Sequence, residues 1–116
     1  MDIKDAVKAL GALAQESRLT VFRMLVEAGP AGMSPGVIGE RTGIPAATLS
    51  FHLKELVNTG LVSSRQEGRF ILYAPRIDRM ADLLDYLTHE CCGGHPELCV
   101  PVAAVAVPAP RRRAKR

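Results

Sequence analysis

The sequence predicts a mostly α-helical domain carrying a single β-hairpin. Three observations point there. Apolar residues recur at helical spacing through residues 2–28, two helical stretches punctuated by Gly and Pro follow over 34–59, and a short run folds back on itself between Leu61 and Pro75. At 116 residues one domain is the expectation. A chain this small leaves much surface exposed, and oligomerisation is a common way to gain burial.

The elements follow in order. Residues 2–14 place Ile3, Val7, Leu10 and Leu13 on a narrow apolar stripe, which predicts a first helix. A second helix begins at Glu16 or Ser17, carries Leu19, Phe22, Leu25 and Val26 on one face, and ends near Ala28 because Gly29-Pro30 stops it. The run AGPAGM is a loop. Ser34 then caps a short helix with Pro35 in its first turn, and Gly43 closes it after Thr42. Pro45 opens the next helix, from about Ala46 to Thr59, and Gly60 ends that one. Two helices joined by a short Gly-containing turn are the helix-turn-helix signature.

On the second helix of that pair, Leu49, Leu53, Leu56 and Val57 share one face. The opposite arc carries Ala47, Thr48, Phe51, Lys54 and Asn58, with Ser50 and His52 on the flanks. Leu61 to Arg65 and Arg69 to Ala74 read as two strands with Glu67-Gly68 at the turn. A last helix over about Ile77 to Glu90 turns Met80, Leu83, Leu84 and Leu87 to one side. Cys91 and Cys92 close it, and Gly93, Gly94 and Pro96 form a loop that returns to Cys99. The remainder, small-residue, Pro-interrupted and then basic, reads as a tail without a core of its own. The expected division is thus 1–92 as the folded unit and 93–116 as a cysteine-bearing loop with a flexible basic tail.

Charge is unevenly spread. The net charge is +3, but Arg111, Arg112, Arg113, Lys115 and Arg116 supply five of the fifteen basic residues. Residues 1–110 hold ten basic and twelve acidic residues, so bulk charge does not by itself imply nucleic-acid binding. Trp is absent and aromatics are few, which disfavours a carbohydrate or single-strand stacking surface. No apolar run spans a bilayer, and MDIKDAVKAL carries no signal-peptide pattern, so the expected location is the cytoplasm, with no membrane partner. No nucleophile elbow, metal-hydrolase spacing or Cys-x-x-Cys after a strand is present, so no enzyme and no organic cofactor is expected.

The order of elements resembles the ArsR/SmtB family, the arsenical-resistance repressors, which are winged helix-turn-helix regulators. The likeness is carried by TLSFHLKELVNTGLV and by RQEGRFILY and extends over roughly Ala6 to Tyr86. It implies a homodimer joined through the first and last helices and bound to double-stranded operator DNA. On that reading Thr48, Ser50 and His52 donate to phosphates or base edges, Lys54 adds a phosphate contact, and Phe51 meets a thymine methyl; the alternatives are that His52 caps or packs within the helix pair and that Phe51 is partly buried against the helix before it. Arg65 and Arg69 on the wing reach the backbone or the minor groove.

The family's sensing sites are not all present. Many members carry a Cys-x-Cys pair in the helix before the turn, and SPGVIGERTG has none. A second frequent site uses Asp and His on the last helix for zinc. Asp78, Asp82, Asp85 and His89 are available there, but its Asp-x-His start is missing.

What remains is Cys91, Cys92 and Cys99. Vicinal cysteines rarely bond to each other, and a structural disulfide is not expected in a reducing compartment. Gly93 and Gly94 give the chain freedom to fold Cys99 back onto the pair. Three thiolates without an obligatory fourth ligand suit As(III) or Sb(III), soft ions that keep a lone pair. The expected function is a repressor that leaves its operator when As(III) or Sb(III) binds these three cysteines. The competing readings are zinc held by the thiolates with His95 or His89, and a redox response of the same thiols. A winged-helix module that binds only protein partners is a further alternative.

Overall fold

The computed structural model describes residues 1–89 and 91–95. Helix α1 (Ile3–Leu13) and helix α2 (Glu16–Ala28) lead through a short 3-10 turn (Gly29–Ala31) to α3 (Pro35–Thr42) and α4 (Ala46–Asn58). The antiparallel strands β1 (Val62–Glu67) and β2 (Phe70–Pro75) form the wing, followed by α5 (Ile77–Thr88) and a four-residue turn of helix, α6 (Cys91–Gly94). This is the mostly helical, single-hairpin fold that the sequence predicts.

Local chemistry sets the helix-turn-helix. The Ser34 Oγ accepts from the Val37 N–H at 3.3 Å, Pro35 occupies the first turn, and Gly43 closes α3 in the left-handed region. The Thr42 hydroxyl donates to the Ile38 carbonyl and accepts from the Ile44 N–H, which braces the turn into α4. At the start of α2 the cap is Gln15, whose side chain accepts from the Arg18 N–H at 2.9 Å.

The core is aliphatic. Val21 and Leu25 of α2, Ile38 of α3, Leu49, Leu53 and Leu56 of α4, and Leu61 and Val62 at the wing base are fully enclosed. Each such side chain contributes about 1.5–3 kcal/mol on burial.

Helix α1 packs through its small residues. Its buried face is Ala6, Ala9 and Ala12, while Ile3 and Val7 stay 65% and 62% exposed and Leu10 is exposed as well. The small face lets α1 approach α2 and α4 closely, and the large apolar residues stay exposed among the described residues. Leu19 on α2 is likewise exposed, and Val21 takes the inward position. On α5 only Leu83 is buried; Ile77, Tyr86 and Leu87 face outward.

The wing also differs in detail. Pairing runs from Val62 opposite Pro75 to Glu67 opposite Phe70, which puts the turn at Gly68-Arg69, one residue later than expected. Leu61, buried at the exit of α4, lies just before the first pair, and its carbonyl accepts from the Arg76 N–H. The base of the wing is clamped by the preceding loop. Met33 and Tyr73 exchange both backbone hydrogen bonds, at 2.9 and 2.8 Å, making a bridge to β2. Gly32 permits this approach: it holds φ +80°, and a side chain there would stand 3.0 Å from the Tyr73 carbonyl oxygen.

Helix α5 ends at Thr88 rather than near Glu90, and Cys91 and Cys92 belong to the separate α6 instead of closing α5. Cys99 and the expected tail lie outside the described residues. No helix among the described residues is long and apolar enough to cross a membrane.

Candidate nucleic-acid interface

Helix α4 is fastened on one side and open on the other. Leu49, Leu53 and Leu56 fix it to the core, while Ala47, Thr48, Ser50, Phe51, Lys54 and Asn58 are exposed. Thr48 and Ser50 make no side-chain hydrogen bond among the described residues, unlike Thr20, Thr42, Thr59 and Thr88, whose hydroxyls all donate to carbonyls within their own helices. Two hydroxyls are therefore available to an outside acceptor. Phe51, 56% exposed, presents most of its ring to solvent, as expected for an apolar contact on this arc.

The start of α4 suits an anion. Pro45 precedes it, no side chain caps its first amides, and its first turn carries no acid. The positive end of the helix dipole is thus left uncompensated beside Thr48 and Ser50, where a phosphate would be favoured.

His52 does not belong to this open arc. It is 6% exposed and turned inward, with Nδ1 3.3 Å from the Arg18 Nη1. Burial, and then the neighbouring Arg18 cation, hold its pKa below the ordinary 6.5. The sequence puts His52 at the edge of the leucine face, and the packing of α1 and α2 extends the buried arc over that edge. At 6% exposure the imidazole offers almost no surface to a base or phosphate, and its polar contact is the internal one with Arg18 rather than the expected one with DNA.

The two wing arginines also part. Arg65 donates to the carbonyls of Pro30, at 3.2 Å, and Ala31, at 2.7 Å, and pairs with Glu67 at 3.3 Å. It fastens the wing to the loop after α2 rather than reaching outward. Arg69 stands in the two-residue turn, exposed, with no hydrogen bond or ion pair among the described residues. The turn is braced by the Gln66 side-chain amide, which donates to the Gly68 carbonyl at 2.9 Å. Arg18, Gln66 and the Met33–Tyr73 bridge are the structural residues that sequence reasoning missed. A polar residue at a helix start and an apolar one in a loop carry no local mark of those long-range partners.

Of the thiol site, the structure describes the helical backbone at Cys91 and Cys92. Among the described residues, no cluster of three or more His, Cys, Asp or Glu could hold a metal ion.

Comparison with known proteins agrees with this architecture. Residues 13–65 match the family model described as a helix-turn-helix domain. Over 58 residues the chain is 40% identical to YceK of Bacillus subtilis strain 168, an uncharacterised HTH-type transcriptional regulator; the match covers 50% of this chain and 57% of YceK. HlyU from Vibrio cholerae N16961 superposes with a TM-score of 0.59 at 32% identity, over 75% of this chain and 97% of HlyU. The homodimeric winged helix-turn-helix domain of a possible ArsR-family regulator from Mycobacterium bovis gives 0.62 at 25% identity, over 78% and 83%. The fold is shared over 97% of this chain and 94% of its counterpart with an ArsR-like regulator from Rhodococcus sp. RHA1, with a TM-score of 0.67 at 24% identity. These relatives are transcriptional regulators and not enzymes. The helix-turn-helix match, the wing and these neighbours together place the chain in the ArsR/SmtB family of winged helix-turn-helix transcriptional regulators.

Proposed function

We propose that this chain is a homodimeric repressor that binds double-stranded operator DNA and releases it when As(III) or Sb(III) is captured by Cys91, Cys92 and Cys99. The observation that carries the DNA-binding part is the open arc of α4. Thr48, Ser50, Phe51 and Lys54 stand uncovered beside an uncapped helix start, on a helix whose other face is locked into the core. Such an arc offers hydroxyl donors, a cation and one apolar contact for a thymine methyl, the set a major groove reads. Arg69 at the wing tip adds a cation for the backbone or minor groove.

The dimer is supported by what α1 and α5 leave outside. Ile3, Val7 and Leu10 on one helix, and Ile77, Tyr86 and Leu87 on the other, are exposed, and the two helices pack side by side. A second copy covering them would hide apolar surface that the fold cannot bury by itself. The Mycobacterium bovis neighbour is described as homodimeric, which favours the same assembly here.

The sensor rests on chemistry. Cys91 and Cys92 follow α5 directly, so an ion that ties them to Cys99 bears on the helix next to the dimer surface. DNA and inducer then oppose each other with one reciprocal coupling energy, on the order of 1–3 kcal/mol. A redox response of the same thiols is the second reading, favoured by a further HlyU structure, 30% identical to this chain, that is described as reduced. Zinc held with His89 or His95 is a third.

Fluorescence anisotropy of a labelled duplex, titrated side by side with arsenite, antimonite, zinc and peroxide, tests these readings. Arsenite or antimonite should release the duplex, and Cys91→Ser, Cys92→Ser and Cys99→Ser should each bind it but fail to let go. Release by peroxide or zinc alone would transfer the sensor to the competing reading. Normal arsenite release by the Cys99→Ser variant would end the three-thiol model.

A further inference from the structure

Among the described residues His52 is the one polar side chain buried in the core, and the proposed DNA contacts do not use it. Its position is unusual because its partner is a cation. The Arg18 guanidinium has only donors, so at 3.3 Å the His52 Nδ1 must accept. The imidazole is therefore neutral and carries its proton on Nε2. The same Arg18 donates from Nε to the Ala12 carbonyl at 2.7 Å, in the last turn of α1. One side chain, rooted in the first turn of α2, thus joins the end of α1 to the middle of α4.

We infer that Arg18 and His52 form a proton-sensitive strap that holds α4 in its DNA-reading pose, so that protonation of His52 loosens the helix and weakens DNA binding. The inference rests on the reading of α4 as the DNA-contacting helix. Protonation would remove the acceptor and set a second positive charge 3.3 Å from the first. No acid stands between them to absorb it. Lys8 of α1 and Glu55 of α4 line, together with Arg18, the hollow beside the pair, so the local balance is two cations to one anion. The other elements packed on α4 bring no charge to the pair. Glu40 of α3 lines a different hollow, with Ser50 and Tyr73, and Arg65 of β1 is held by Glu67 and two backbone carbonyls.

The sign of the linkage follows from the direction of the pKa. Burial first, then Arg18, keep His52 below 6.5 in the folded chain. The strap is then fully in place above the unfolded value and gives way as pH falls through the lowered, folded one. Acid is the loosening condition.

The test compares wild type with His52→Asn, which places an acceptor near Nδ1 and cannot titrate. Both are assayed between about pH 5 and 8 on duplexes that the wild-type protein selects from a random pool at neutral pH. Amide hydrogen exchange of the peptides spanning α4 is followed in parallel. Wild-type affinity should fall in acid relative to His52→Asn, with a limiting slope of about tenfold per pH unit for each proton taken up. Protection of the α4 amides, corrected for the intrinsic exchange rate at each pH, should fall in acid for wild type and not for His52→Asn, while Arg18→Lys, which loses the fork, should show lowered α4 protection already at neutral pH. Parallel affinity profiles for wild type and His52→Asn would overturn the strap. If wild type selects no duplex at any pH, the DNA-binding reading fails, and the exchange data decide the strap separately: α4 protection that ignores both pH and Arg18→Lys would overturn it.

Discussion

Arg79 of α5 lies against Gly60, the residue at which α4 gives way to the wing. A methyl group added at Gly60 would stand 3.1 Å from the Arg79 Nε, and the same guanidinium pairs with Asp5 of α1 at 3.6 Å. Helix α4 has no basic residue in its own last turn, so α5 supplies a cation near that carboxyl end from outside. Three helices meet at one side chain. Gly60 also holds φ +83°, which disfavours any residue with a Cβ. Gly60→Ala is expected to cost about 1–3 kcal/mol, read as a lower urea midpoint with an unchanged m-value.

The exposed apolar residues of α1 allow assembly to be separated from folding. Val7→Glu changes a side chain that is 62% exposed and leaves Ala6, Ala9 and Ala12, which pack the helix, untouched. Sedimentation should show monomer at concentrations where wild type is dimeric, with a circular dichroism spectrum unchanged in shape. Ala9→Leu reverses the effect: the added bulk enters a fully buried contact and is expected to destabilise the fold by about 1–3 kcal/mol. A dimeric Val7→Glu variant would move the interface away from α1.

The contrast between α1 and α3 shows where the sequence was legible. Ser34-Pro35 and Gly43 mark both ends of α3 because caps and turns depend on neighbours three or four residues away, and the structure places them as expected. The face of α1 that packs inward depends on what lies across from it. Ile3-Val7-Leu10 and Ala6-Ala9-Ala12 are both helical stripes, and only the tertiary fit selects the small one. His52 and Arg65 follow the same rule. Each carries a polar group engaged by a residue thirty-four positions or more away, His52 in the core and Arg65 along the surface. The wing is foreseen as a hairpin, and its turn falls one residue later, at Gly68-Arg69, where Gly68 holds φ +62° and its carbonyl accepts from the Gln66 side-chain amide. Thr48, Ser50, Phe51, Lys54 and Arg69 stay exposed, since no partner among the described residues competes for them.

Phe51 and Ser50 should affect DNA recognition differently. Phe51 offers only apolar contact, so Phe51→Ala should lower preference at thymine-bearing positions by about 1–3 kcal/mol, with sequence-independent affinity nearly unchanged. Ser50→Ala removes a hydroxyl that no internal acceptor uses, so folding stability should stay within about 0.5 kcal/mol of wild type. Selection from a random duplex pool, followed by binding to single-base variants of the winner, separates the two. Equal preference profiles for Phe51→Ala and wild type would remove Phe51 from the interface.

The two wing arginines give the sharpest contrast, because they stand four residues apart and do different work. Arg65 spends its donors on Pro30, Ala31 and Glu67, so Arg65→Ala leaves two carbonyls without their donor and unfastens the hairpin from the loop after α2. Charged hydrogen bonds of this kind contribute about 1.5–3 kcal/mol when shielded, and less at a site this open to water. Arg65→Ala should therefore lower stability modestly and raise amide exchange along β1 and β2. Arg69 holds nothing among the described residues, so Arg69→Ala should leave the melting temperature in place. Its effect should appear in the salt dependence of DNA binding, where taking away a cation that neutralises one phosphate lowers the slope of log K against log salt by about 1. A variant Arg69→Ala that keeps the wild-type slope would mean that the wing tip stays clear of the duplex, and the cationic reach of the protein would have to lie elsewhere.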